Sequence, residues 1–183
     1  MFRKLVFFII NLCVATGISI APLDARADDN KEYLVKAAFI YNFVKFIEWP
    51  GAKAIAQHTN IDICTVGNGG LNSAANVFKA ASTAKLSLSL VQENNIRNAA
   101  AHCHILFVSR SEKDALGDVL AALKGQPVLT VSDIDGFAEA GGMIEFVSNN
   151  NKIKVVVNKG AVSATGMRVD AQLLEIALKV IDR

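Results

Sequence analysis

Residues 103–109 read CHILFVS, with five apolar side chains in seven positions. A strand with one wet face alternates apolar and polar residues. This stretch does not, so it belongs in the middle of a sheet covered on both sides. Working outward, residues 61–67 (IDICTVG) and 127–131 (PVLTV) have the same character, while residues 86–92 (LSLSLVQ) alternate and predict a strand with a solvated face. Helices are expected between them over 71–81 and over 112–123, the second stopped by Gly125. Residues 94–101 form a short helical or irregular link. Strands alternating with helices predict a parallel sheet. After residue 131 the pattern changes. Residues 132–142 make a glycine-containing loop, and residues 143–148 and 152–158 flank Asn149-Asn150-Asn151, a hairpin by composition because asparagine tolerates left-handed turn geometry. Residues 170–182 are expected as a closing helix with Leu173, Leu174, Ala177, Leu178 and Ile181 on one face. The fold class is therefore α/β, a three-layer sandwich with a mainly parallel sheet and a C-terminal antiparallel hairpin at its edge.

The chain has 183 residues, 52% hydrophobic and 20% charged, which fits one packed domain and excludes disorder. Its beginning reads differently from the rest. Arg3 and Lys4 precede an apolar run over residues 5–20, and Ala25-Arg26-Ala27 is a small-x-small triplet, so residues 1–27 are expected to be a signal peptide cleaved before Asp28. The run is short for a membrane span and contains Asn11, Thr16, Gly17 and Ser19. Residues 28–183 then form a single exported, periplasmic domain. Without Arg3, Lys4, Arg26 and Asp24 the basic and acidic residues balance, so no basic excess exists to hold nucleic acid.

Export bears on the cysteines. With Cys13 lost in the signal peptide, Cys64 and Cys103 remain, an even pair in an oxidising compartment, which favours a structural disulfide, with two buried thiols or a redox switch as the alternatives. No C-x-x-C spacing points to thiol catalysis. Other chemical signals are weak. Gly67-x-Gly69-Gly70 follows a strand and opens a helix, as phosphate loops do, but Asn72 stands where a dinucleotide fingerprint needs glycine. A tight turn is the plainer reading. His102 and His104 flank Cys103 and share one face of a strand, yet a third zinc ligand such as His58 cannot be placed. Asp133-x-Asp135-Gly136 opens like a calcium loop without completing one, leaving Asp133 as a turn or cap residue. Neither a G-x-S-x-G elbow nor an H-E-x-x-H pair occurs. No catalytic residue, metal or cofactor is expected.

The first helix, expected from about Lys31 to Pro50, carries more information. Tyr33, Leu34, Ala37, Ile40, Tyr41, Phe43, Val44 and Ile47 form a broad apolar face. Val35, Phe39 and Phe46 form a second stripe, set apart by Asn42 and Lys31 on one side and by Glu32 and Lys36 on the other. An outer helix buries one face. The second stripe is therefore a candidate contact with a partner or with a second copy of the chain.

Residues 32–50, EYLVKAAFIYNFVKFIEWP, resemble the opening of YfiR-like proteins. The likeness continues through CHILFVSRS (103–111), PVLTVSD (127–133), GFAEAGGMIEF (136–146) and VVVNKGAVSATGMRVDAQLLEIA (155–177). The resemblance implies a periplasmic regulator that represses an inner-membrane diguanylate cyclase, lowers cyclic di-GMP, and can itself be sequestered by an outer-membrane lipoprotein. It also implies that Cys64 and Cys103 pair. A second disulfide of the best-known relative, in the region of residues 138–145, has no counterpart here. The alternative is a small-ligand receptor using the carboxyl ends of the strands, where Gly67, Gly69, Gly70, Ser109 and Ser111 should gather.

Overall fold

The structure, a computed structural model, describes residues 24–53, 60–149 and 152–182. Helix α1 (Asp24–Phe46) leads into a two-residue strand β1 (Ile47–Glu48). There follow β2 (Asn60–Val66), α2 (Ala75–Ala81), β3 (Ser87–Glu93), α3 (Ile96–His102), β4 (Ile105–Val108), α4 (Leu116–Leu123) and β5 (Leu129–Ser132). The chain ends with β6 (Ile144–Asn149), β7 (Lys152–Asn158), α5 (Lys159–Ser163), β8 (Arg168–Val169), α6 (Ala171–Ile176) and β9 (Lys179–Ile181). Single 3-10 turns over Gly70–Ala74 and Arg110–Ala115 precede α2 and α4. Among the described residues no helix is long and apolar enough to cross a membrane.

Seven strands form one sheet in the order β3-β2-β4-β5-β6-β7-β9, parallel from β3 to β6. β7 pairs antiparallel with β6, and β9 runs parallel to β7. As its composition requires, β4 is central: Ile105, Leu106, Phe107 and Val108 are all fully buried. The alternating β3 lies at an edge. Side chains alternate across the sheet. Ile61, Ile63, Ile105, Phe107, Leu129, Val131, Ile144 and Phe146 meet α1, α2 and the 70–74 turn on one face. Cys64, Val66, Leu106 and Val108 meet α3 and α4 on the other. The three-layer sandwich expected from the sequence is the observed architecture.

Two elements depart from the sequence reading. The closing helix stops at Ile176, because Ala177 is extended (φ −67°, ψ 140°) and residues 179–181 add to β7 as β9. The C-terminal strand, and not the hairpin, is thus the outermost strand. Periodicity could not show this, since the open edge of β7 exists only after the sheet has formed. Likewise Ile47 and Glu48 leave the helix to pair antiparallel with Val169 and Arg168. The described part of α1 begins at Asp24, and residues 1–23 of the stretch assigned to the signal peptide lie outside the described residues. Asn150, Asn151 and His58 lie outside the described residues.

Candidate functional site

From β2 the chain crosses through α2 to β3 on one side, then through α3 to β4 on the other. Neighbouring strands β2 and β4 therefore send their connections in opposite directions, and a crevice is expected at their carboxyl ends. The predicted ligand-loop residues meet there. Ser111 Oγ accepts from the Asn68 backbone N–H at 2.8 Å, so the turn after β2 is tied to the turn after β4. Gly67 has φ +82°, a conformation disfavoured for other residues. A Cβ at Gly69 would collide with Ser109 Oγ, and one at Gly70 with the Tyr33 ring. These glycines let α1 and β4 close on the turn.

The sequence did not reveal the charges beside this turn. Lys36 is 1% exposed, and its Nζ lies 2.6 Å from Asp133 Oδ2, just past β5, and 2.5 Å from Glu32 Oε1 one helical turn back. Tyr33 donates to the same Asp133 oxygen at 3.3 Å and stands edge-on to Phe107. Burial, first, and the Asp133 carboxylate push the Tyr33 phenol above its ordinary value. Arg110 donates from Nε and Nη2 to the Asp133 carbonyl at 3.2 and 3.1 Å. Asp133 is therefore no turn residue: it anchors α1 over the crevice. Its partner is 97 positions away, and nothing local in the sequence signals that. Two buried atoms at this point, Ser109 Oγ and Asp133 Oδ1, have no hydrogen-bond partner among the described residues. Buried polar atoms in that condition call for an explanation.

Residues 33–178 match the sequence model of the YfiR/HmsC-like family. The chain belongs to that family. Among curated proteins nothing matches. Two solved structures share the fold of this YfiR/HmsC-like chain. One is the ABC domain from Streptococcus pneumonia in complex with L-Trp, 14% identical, with a TM-score of 0.53 over 66% of this chain and 55% of that one. The other is a conserved domain protein from Vibrio cholerae O1 biovar El Tor, 11% identical, with a TM-score of 0.52 over 69% of this chain and 56% of that one. The chain spans just over half the length of each, and at these identities they show the fold alone.

The YfiR/HmsC-like chain carries the Cys64–Cys103 disulfide, with 5.9 Å between Cα atoms. It joins β2 to the residue that caps α3. Lys53 closes the same helix end, donating to Ala100 O at 3.3 Å and Cys103 O at 2.5 Å. Burial pulls its ammonium below the usual lysine range. Trp49 Nε1 donates to His104 O nearby, which gives the Trp-Pro ending of the first motif a packing role. The two histidines do not share a strand face. β4 begins only at Ile105, so His102 ends α3 beside the disulfide, while His104 is buried and its Nδ1 accepts from the Asp62 N–H at 3.2 Å.

The second stripe of α1 is split. Phe39 and Phe46 are half-buried against the core, Phe39 with its ring centroid 5.9 Å from Phe146 and 6.3 Å from Phe43. Val35 stands open at 43% exposure and is joined by Leu34 at 45%, which the helical wheel had placed on the inner face. Leu34, Val35, Ala38, Phe39 and Asn42 line a shallow groove of about 320 Å³.

Proposed function

We propose that this chain is an exported regulatory protein that acts by binding and represses a membrane signalling enzyme, an inner-membrane diguanylate cyclase. Residues 1–27 direct export, and residues 28–183 form the regulatory domain in the periplasm. Membership of the YfiR/HmsC-like family supports the class of activity. The observation that carries the reading is the groove on α1, where two aliphatic side chains stay nearly half exposed on a helix whose other face is fully packed. Covering the part of such side chains that is still exposed stabilises a complex by roughly 1 kcal/mol each. Val35 and Phe39 on the groove, with the half-buried Phe46 further along α1, are the contact surface, and Leu34 extends it. A second copy of the chain, or an outer-membrane lipoprotein, competes for the same face.

Repression needs no catalysis. The chain has only to bind one conformation of the cyclase better than the other, and a difference of roughly 3 kcal/mol shifts that equilibrium more than a hundredfold. The ion pair of Lys36 with Asp133 fixes α1 on the sheet and so pre-organises the surface. Deleting the gene should raise cyclic di-GMP and surface attachment. An unchanged cyclic di-GMP level would count against the reading.

One observation favours a second reading, a small-ligand receptor. Gly67, Gly69, Gly70, Ser109 and Ser111 gather at the strand ends, beside Ser109 Oγ and Asp133 Oδ1, which have no hydrogen-bond partner among the described residues. Native mass spectrometry of the protein released from the periplasm distinguishes the two. A stoichiometric small molecule, lost in Asp133→Asn, belongs to the receptor.

A further inference from the structure

The Cys64–Cys103 disulfide has an unusual neighbour. His102 Nε2 lies 3.7 Å from Cys64 Sγ and 3.5 Å from Cys103 Sγ, and the three ligand atoms all fall within 4.8 Å of one another. The same nitrogen is 3.2 Å from Glu93 Oε1, at the end of β3. We propose that these four residues form a zinc site once the disulfide is reduced.

The distances carry the argument. In a tetrahedral site with Zn–S near 2.3 Å and Zn–N near 2.05 Å, the edge from nitrogen to each sulfur is about 3.5 Å, and the edge from nitrogen to a carboxylate oxygen is about 3.3 Å. The observed separations, 3.7, 3.5 and 3.2 Å, already match these edges. The sulfur–sulfur edge, about 3.8 Å in such a site, opens when the covalent bond is broken. Glu93 completes the set by rotating its side chain. The donors, two thiolates and an imidazole with a carboxylate, are a zinc set. The sulfurs are buried, but His102 is 42% exposed and forms the outer wall, so the metal enters past its ring.

The chemistry balances in two steps. A dithiol reductant gives two electrons and two protons to the Cys64–Cys103 bond and is itself oxidised to a disulfide, leaving two thiols. Zn2+ then displaces both thiol protons and binds the two sulfurs and His102 Nε2, with the Glu93 carboxylate as the fourth ligand. Oxidised or metal-loaded, the chain keeps a cross-link between β2 and the start of β4. The two forms differ in whether the link is opened by a dithiol reductant or by removal of zinc, and this holds whatever partner the protein regulates.

The test uses the untagged exported protein without residues 1–27, oxidised or treated with a phosphine reductant, with Zn2+ alone as the probe. After gel filtration, elemental analysis should find close to one zinc per reduced chain and none on the oxidised chain. His102→Ala should weaken zinc binding by at least about tenfold while leaving the disulfide of the oxidised form intact. Co2+ in place of zinc should give the absorption of a tetrahedral thiolate complex. If the reduced chain unfolds without metal, zinc added before the reductant should keep it folded by circular dichroism. A reduced chain that retains no zinc, a reduced chain that zinc fails to keep folded, or a His102→Ala variant that binds like the wild type would each overturn the proposal.

Discussion

On the α1 side of the sheet, eight large apolar side chains from four strands meet Ile40, Phe43 and Val44 of a 23-residue helix, with Leu71 and Phe78 filling the flank. On the opposite side the helices are of seven and eight residues, and fewer strand side chains reach them. Among the described residues, the buried cluster on that side joins helices α3 and α4 to the strands and includes Ile134 and Phe137 of the loop after β5. There the loop after β5 takes over: Glu145 on β6 accepts the N–H groups of Gly136 and Ala138 at 3.0 Å each, and Asn158 donates to Ala138 O at 2.9 Å. The comparison teaches that a long helix stabilises its face by area, whereas short helices and a loop need links. The disulfide, the Lys53 contact at the end of α3 and the Glu145 clamp are those links.

The contrast can be broken by mutation. The largest effect belongs to the α1 side: Phe43→Ala removes a fully buried ring stacked on Phe146 and should cost about 3–5 kcal/mol in urea unfolding. On the other side, Cys64→Ser with Cys103→Ser opens a link spanning 39 positions, for which chain entropy predicts up to about 4 kcal/mol. A loss under 1 kcal/mol would mean that the small face holds by packing after all. Glu145→Ala sharpens the point further, since it leaves the Gly136 and Ala138 N–H groups without their acceptor and should cost about 1–3 kcal/mol. Hydrogen exchange should then rise in residues 134–142 first.

Much of this architecture was legible because it rests on local patterns. CHILFVS is central for the reason its composition states, and LSLSLVQ sits at an edge because its serines need water. What failed depended on partners far away in sequence. Residues 171–181, AQLLEIALKVI, satisfy helical spacing throughout, yet Leu178 donates to Val155 O and the strand edge wins. Lys36 and Glu32 read as a polar seam on α1, whereas Lys36 is one of the most buried side chains in the molecule because Asp133 waits at the end of β5. The wheel also placed Leu34 and Phe39 differently from the structure, where Phe39 packs on Phe146 and Leu34 stands outward. The glycine turn was found from its spacing, but the charged anchor beside it was not.

The central claim is that the open groove of α1 holds a membrane partner, and a co-purification experiment tests it. Leu34→Glu with Val35→Glu changes two exposed residues, so stability should move by no more than about 0.5 kcal/mol and the disulfide should persist. The wild-type chain, cross-linked in intact cells and purified from membranes, should bring down a diguanylate cyclase. The double variant should bring down at most about a tenth as much and raise cyclic di-GMP toward the deletion level. A folded double variant that retains the cyclase as well as the wild type does, or a wild-type chain that retains none, would contradict the account.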